Sequence, residues 1–170
     1  MVANLVTLVR ILLLPVLGAA ILTGHGWTAL ALFLAAGATD ILDGQLARRL
    51  GQTSAFGAML DLLADRLLTL VSLGALIATG AFAGVWVVAP LVLVARNFAV
   101  AGLQQALPKG DFDVAAVEYP KIALNFLGVS LLLAPVGATN AGLWAVAASA
   151  ALSGASVAVY VHRALPAFRD

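Results

Sequence analysis

The sequence predicts an all-α integral membrane protein, a six-transmembrane-helix bundle with both termini cytoplasmic, and three observations carry that expectation. Of 170 residues, 63% are hydrophobic and 10% charged, and the mean hydropathy is +1.07, whereas a soluble domain is about 45–50% apolar. The apolar residues fall into six segments, 3–23, 26–49, 55–79, 84–106, 116–136 and 140–165, each near the ~20 residues that cross a bilayer. Between them lie stretches with turn chemistry, Thr23-Gly24-His25-Gly26, Gly51-Gln52-Thr53-Ser54, Gly80 to Gly84, Pro108 to Glu118 and Gly137 to Asn140. A single domain over residues 1–170 is expected. The chain has no cysteine, which excludes disulfides and thiol chemistry, and a net charge of +1 is no footprint for nucleic acid.

The first segment carries Arg10 within its apolar run and continues to Leu22 without a small-residue cleavage region, so it reads as a span and not as a cleaved leader. Asn4, Thr7 and Arg10 recur at i, i+3 and i+6, a polar stripe that faces protein or a cavity. Hydrogen bonding between helices with Arg10 snorkelling would also account for it. In the fourth segment Arg96 and Asn97 lie mid-span, too deep to snorkel, which points to an anionic partner. Lys121 follows Pro120 in the fifth, and Asn125 lies four residues on along the same face. Pro15, Pro90 and Pro135 are read as kinks or span ends. His25, His162, Asp111, Asp113, Glu118 and Arg66 need no role beyond a surface, loop or interface.

Charge sets the orientation. Arg48, Arg49, Lys109, Lys121, Arg163 and Arg169 fall on the side of the termini, and the three opposite loops hold no Lys or Arg, so that side is expected to be cytoplasmic. Trp27, Trp86 and Trp144 each open a span from the other side, as an interfacial aromatic belt requires.

The second and third segments hold the chemistry. From Asp40 to Asp65 four carboxylates are set in otherwise apolar sequence. Each costs roughly 2.5–3.5 kcal/mol at a bilayer centre, so a cation is expected among them. On a helix over 26–49, Asp40, Asp43, Gly44, Ala47 and Arg48 share an arc of roughly 140°. On a helix over 55–79, Gly57, Asp61 and Asp65 share another face. The short link Arg49 to Ser54 makes the two helices antiparallel neighbours. Oxygen-only ligands suit a hard cation, Mg²⁺ or Mn²⁺, and four carboxylates could balance two ions.

The spacing Asp40-x2-Asp43-Gly44-x2-Ala47-Arg48-x8-Gly57-x3-Asp61-x3-Asp65 resembles the full signature of the CDP-alcohol phosphotransferase family. Eight specified positions coincide by chance on the order of once in a billion start sites. The resemblance implies transfer of a phosphatidyl group from CDP-diacylglycerol to an alcohol, with release of CMP. It also implies Asp40, Asp43, Asp61 and Asp65 as ligands of two ions, with Asp65 as general base, and it carries CDP-lipid binding onto Asn4, Thr7, Gly44, Ala47, Arg48, Ser54 and Gly57. Gly44 and Ala47 lack bulk, so cytidine can come close; Arg48 can neutralise a diphosphate oxygen. Ser54 and Gly57 would meet the diphosphate at a helix start, with backbone N–H groups and a positive dipole end.

The family further implies a homodimer in a bacterial or archaeal plasma membrane, its active site facing the cytoplasm. The Asn4-x2-Thr7-x2-Arg10 motif is similar to that of the phosphatidylglycerophosphate and cardiolipin synthase branches. The cations Arg10, Arg96 and Lys121 suggest an acceptor with its own phosphate. Glycerol 3-phosphate leads, ahead of inositol phosphate, phosphatidylglycerol or serine. Glycerol-phosphate-accepting members typically read Ala-Arg-Glu and Gly-Lys-x-Lys-Thr where this chain has Ala95-Arg96-Asn97 and Pro120-Lys121-Ile122-Ala123-Leu124. A divalent-cation transporter would also need intramembrane carboxylates, but all four lie toward one membrane surface with no acidic path on the other side. A lipid-binding subunit without catalysis would not need the intact set of four.

Overall fold

The computed structural model describes residues 2–49, 55–106 and 115–164. Among them are six α-helices and no strand: α1 Val2–Leu22, α2 Gly26–Arg49, α3 Ala55–Ala78, α4 Val88–Ala106, α5 Ala115–Leu133 and α6 Thr139–Ala164, with a 3₁₀ turn at Gly84–Val87 before α4. Each helix coincides with one of the six apolar segments to within a few residues. The largest departures have local causes. The fifth segment stops being helical at Leu133 because Pro135 disfavours α geometry at Ala134 and has no N–H to donate. The fourth begins as a 3₁₀ turn that opens at Gly84, φ 58°.

Turn glycines end two helices for a definite reason. Gly24 has φ 74° and Gly80 φ 78°, a left-handed geometry that favours residues without a Cβ. At the end of α1 the Gly24 and His25 amides donate to the carbonyls of Ile21 and Ala20; at the end of α3 the Gly80 and Ala81 amides donate to those of Ile77 and Leu76. These paired bonds close Schellman motifs and satisfy carbonyls that the helix ends would otherwise leave open.

The chain forms two compact units, Met1–Ala81 with Leu132–Gly137, and Phe82–Leu131 with Ala138–Asp170. In the first, α1 lies against both α2 and α3, which among the described residues touch each other far less. The buried stripe of α1 is Thr7, Arg10, Leu14, Leu17 and Ile21, spaced alternately by three and four residues, so that one face meets two neighbours. On the helices it packs against, Ala29, Phe33 and Ala36 of α2 and Leu60, Ala64, Leu68 and Leu73 of α3 are buried. The approach is close: a Cβ on Gly18 would lie 3.3 Å from Val71. At the start of α2, Gly26 lets the chain pass the Leu133 carbonyl, which a Cβ would meet at 2.8 Å.

In the second unit α4 packs along α6. The indoles of Trp86 and Trp144 meet edge to face, 5.0 Å between centroids and 87° between planes, a favourable quadrupolar arrangement. α5 crosses α6 at Gly128, where a Cβ would lie 2.7 Å from the Val146 side chain, 2.9 Å from the Val146 amide nitrogen and 3.0 Å from the Gly142 carbonyl.

Among the described residues both units bury some polar side chains within an apolar core and expose much apolar bulk. Thr7, Arg10, Ser72, Arg96, Lys121, Ser149, Ser153 and Ser156 are buried, while Leu5, Leu12, Val16, Leu91, Ile122 and Leu127 are exposed. Water would penalise that surface and a lipid surround does not. Over Leu5–Leu22, with mean hydropathy 2.5, α1 is the one helix among the described residues that is long and apolar enough to cross a membrane; Gly84–Val100 and Tyr119–Leu133 are shorter apolar helices. The charged residues of α2 and α3 lower the hydropathy of those two helices.

The crossing at Gly128 yields a test. Gly128→Ala should lower Tm, at a cost of about 1–3 kcal/mol from overpacking against backbone. Gly74→Ala, whose Cβ meets nothing within 4 Å, should leave Tm unchanged or raise it. Equal melting temperatures for the two variants in detergent would show that the crossing is not tight.

Candidate active site

The buried stripe of α1 delivers two polar side chains, one turn apart, to the two acidic helices. Thr7 Oγ1 donates to Asp61 Oδ1 at 2.7 Å, tying α1 to α3. The Arg10 guanidinium donates from Nη1 to Asp40 Oδ1 in an ion pair, and Nε reaches Thr39 Oγ1 at 3.4 Å, tying α1 to α2. Thr39 is held in place by its own bonds to the Ala35 and Ala36 carbonyls, 3.0 and 2.9 Å. Asp40 continues the face of Ala29, Phe33 and Ala36 at helical spacing, which is why it arrives opposite α1.

The two partners of the ion pair are unequally covered: the Arg10 side chain is 2% exposed and that of Asp40 46%. The cation approaches from inside the helix packing and leaves the carboxylate open on its other flank. Neither contact uses Oδ2 of Asp40 or of Asp61. Along α3, Gly57 and Asp61 are half-buried and Asp65 is exposed, with the Asp65 carbonyl accepting from Thr69 Oγ1 at 3.1 Å. The fully buried Ala64 sits between the two aspartates on the side that faces the packing.

Asp43, Gly44, Ala47 and Arg48 lie on the last turns of α2 and Asn4 on the first turn of α1; their side chains, like Ser54 as a whole, fall outside the described residues. Among the described residues no three acidic or histidine side chains converge as a metal-holding group; the fourth carboxylate of the motif, Asp43, is not among the side chains described. By its chemistry the donor set fits a hard cation. Its atoms are carboxylate oxygens, two of them on adjacent helices pinned to neighbouring turns of α1, and each retains an oxygen outside those contacts.

The second unit has a polar set of its own. Arg96 of α4, buried, donates from Nη2 to Ser156 Oγ at 3.2 Å. Lys121 of α5 is buried, and its carbonyl accepts from Ser149 Oγ at 2.8 Å. Ser153 lies between the two serines on α6; its Oγ and the Asn125 Oδ1 are buried with no hydrogen-bond partner among the described residues.

The sequence points Arg10 toward an acceptor phosphate; in the structure its guanidinium lies on Asp40. Thr39 and the α6 serines are not among the residues the sequence singles out. Ser149, Ser153 and Ser156 could have been found, since they recur at i, i+4 and i+7 on one helical face. Thr39 carried only the signal of a polar residue adjoining Asp40.

A family model described as CDP-alcohol phosphatidyltransferase matches residues 1–160. Among curated relatives, a CDP-diacylglycerol--glycerol-3-phosphate 3-phosphatidyltransferase of Pseudomonas fluorescens is 37% identical over 108 residues, covering 61% of this chain and 54% of that protein. The protein of the same name from Cereibacter sphaeroides is 38% identical over 146 residues, 76% of this chain and 65% of the relative. That of Bacillus subtilis is 35% identical over 147 residues, 76% and 75%. The match thus spans about half to two thirds of the length of the first two relatives. With the signature aspartates on α2 and α3 and a model match along nearly its whole length, the chain belongs to the CDP-alcohol phosphatidyltransferase family.

Proposed function

We propose that the protein is a phospholipid-synthesis transferase that moves the phosphatidyl group of CDP-diacylglycerol onto glycerol 3-phosphate and releases CMP. The observation that carries the reading is the pinning of Asp40 and Asp61 to neighbouring turns of α1, within a sequence whose relatives are named for that reaction.

In this reading the acceptor hydroxyl oxygen bonds to the β-phosphorus, the bond from that phosphorus to the bridging oxygen breaks, and CMP leaves. Asp65, the exposed carboxylate of α3, receives the hydroxyl proton. Arg48 and the α3 start at Ser54 and Gly57 hold the diphosphate; Asn4 and Thr7 with Gly44 and Ala47 receive the nucleotide. Asp40, Asp43, Asp61 and Asp65 would hold two Mg²⁺ or Mn²⁺ ions, which when bound supply charge neutralisation on the diphosphate. Arg96 and Lys121 are proposed to take the phosphate of the acceptor.

The reaction is tested by supplying labelled CDP-diacylglycerol with one acceptor at a time. Phosphatidylglycerophosphate should form with glycerol 3-phosphate, EDTA should stop its formation, and Mg²⁺ or Mn²⁺ should restore it. A relative named as a probable cardiolipin synthase, from Drosophila melanogaster, is 44% identical over 68 residues, 39% of this chain and 21% of that protein. Product with phosphatidylglycerol, and none with glycerol 3-phosphate, would therefore reassign the acceptor. Turnover in EDTA would remove the metals from the reading.

Asp65→Asn should lower kcat by at least about 10²-fold, the lower range for loss of a general base, while CDP-lipid affinity is largely kept. Asp40→Asn should weaken metal and nucleotide binding together. Normal turnover by Asp65→Asn would remove it as the base.

The family, the exposed apolar surface and the one-sided distribution of Lys and Arg support six spans with both termini cytoplasmic in a bacterial or archaeal plasma membrane, and the homodimer rests on the family alone. Because the chain lacks cysteine, a single Thr23→Cys should react only with reagent outside the cell and Arg169→Cys only from the cytoplasm. The particle in native-like lipid should contain two 17.3 kDa chains. The reverse labelling pattern, or one chain per particle, would refute the corresponding part.

A further inference from the structure

We infer that Arg10 is a resident counter-cation of the acidic site, a positioning residue that holds Asp40 while no metal is bound and yields its share of that carboxylate when a metal arrives. The inference rests on the proposed reading of Asp40 as a metal ligand, and it gives Arg10, which the sequence points toward the acceptor, a place on the metal side.

Three observations lead to it. First, Arg10 is 3% exposed on a helix whose outward face is Leu5, Leu8, Leu12 and Val16, all exposed. A guanidinium so enclosed needs an anion, and the structure gives it Asp40 Oδ1. Second, the pair is lopsided: the arginine is covered and the carboxylate 46% exposed, so the cation occupies the packed flank and leaves the open flank to whatever comes from outside. Third, Thr7 holds Asp61 one turn away on the same face of α1. Among the described residues α2 and α3 each lie mainly against α1, so this helix sets the spacing of the two carboxylates. Thr7 is neutral and Arg10 charged, so of these two contacts only the second offsets the mutual repulsion of aspartates when nothing else is bound.

The consequence is a coupling of opposite sign from that of an ordinary ligand-shaping residue. A cation already on Asp40 competes with an incoming divalent ion for the same carboxylate, so it stabilises the metal-free protein and weakens metal binding. Removing it should do the reverse on both counts, since the two cations are linked through one anion.

The test uses the full-length protein in detergent or nanodiscs, with Mn²⁺ alone as probe. Tm is measured in EDTA and across a Mn²⁺ series, and the dissociation constant is taken from the loss of the free Mn²⁺ electron-spin-resonance signal. Arg10→Gln should melt lower than the parent in EDTA, gain more in Tm on saturation with Mn²⁺, and bind Mn²⁺ about tenfold tighter, within the usual range of a coupling between sites. Arg10→Lys, which keeps the charge without the fork, should lie near the parent in Mn²⁺ affinity and keeps the test open if Arg10→Gln does not fold. Leu14→Ala, buried on the same stripe, should melt lower by the same amount with and without Mn²⁺.

An Arg10→Gln that loses the same Tm in EDTA and in Mn²⁺, or binds Mn²⁺ more weakly, would overturn the inference and leave the metal reading standing. A parent protein whose Tm and Mn²⁺ signal do not respond to the ion at all would overturn the metal reading itself, and this inference with it.

Discussion

A charged group can be kept within an apolar helix packing only if an opposite charge or a set of hydrogen bonds is brought to it, and the first unit is arranged around one such requirement. Arg10 is almost wholly enclosed on α1, and its anion is Asp40 on α2. Because the partners belong to different helices, the ion pair does more than neutralise charge: it sets the height at which α1 and α2 meet. The Thr7 to Asp61 bond does the same for α3. Two polar contacts one turn apart therefore fix the register of three helices, and the aliphatic residues below them, Leu14, Leu17 and Ile21, fill the rest of the same stripe.

Lipid-facing helices have little hydrophobic force holding them to each other, so close approach and polar contacts must do that work. Both devices appear here. Gly18, Gly26 and Gly128 lie where a Cβ would crowd a neighbour, and the buried hydroxyls of α6 reach a guanidinium and a backbone carbonyl. In α3 the hydroxyl of Ser72 is turned back to the Leu68 carbonyl, which satisfies a buried donor without a second helix. The buried residues therefore include hydroxyls and cations among the aliphatic side chains.

The same arrangement has chemical meaning. In the proposed reading Asp40 and Asp61 are metal ligands, each bonded on one oxygen to α1 and set on helices, so that their positions do not depend on loops. Asp40 and Asp65 are exposed and Asp61 is half-buried; the proposed role of Asp65 as proton acceptor rests on that exposure and on the family. Asp40 and Asp61 thus serve the packing of α1 as well as the site, and a substitution at either acts on both.

Sequence alone determined the helical class, the six segments and the acidic motif, because apolar run length, turn residues and the i, i+3, i+4 spacing of Asp40, Asp43, Asp61 and Asp65 are local properties of the chain. It also determined that Thr7 and Arg10 share a face, as any pair three apart on a helix must. What it could not supply was the identity of their partners. The Arg10 charge is consistent in the sequence with an acceptor phosphate or with snorkelling, and its contact with Asp40 comes only from the packing of α1 against α2. Likewise the one-face spacing of Ser149, Ser153 and Ser156 was present in the sequence, but that this face is buried, with Ser156 meeting Arg96 and Ser149 the Lys121 carbonyl, follows from contacts between residues 60 and 28 positions apart. Periodicity fixes which residues share a face of a helix; which neighbour that face meets is set by packing, a property of the folded chain.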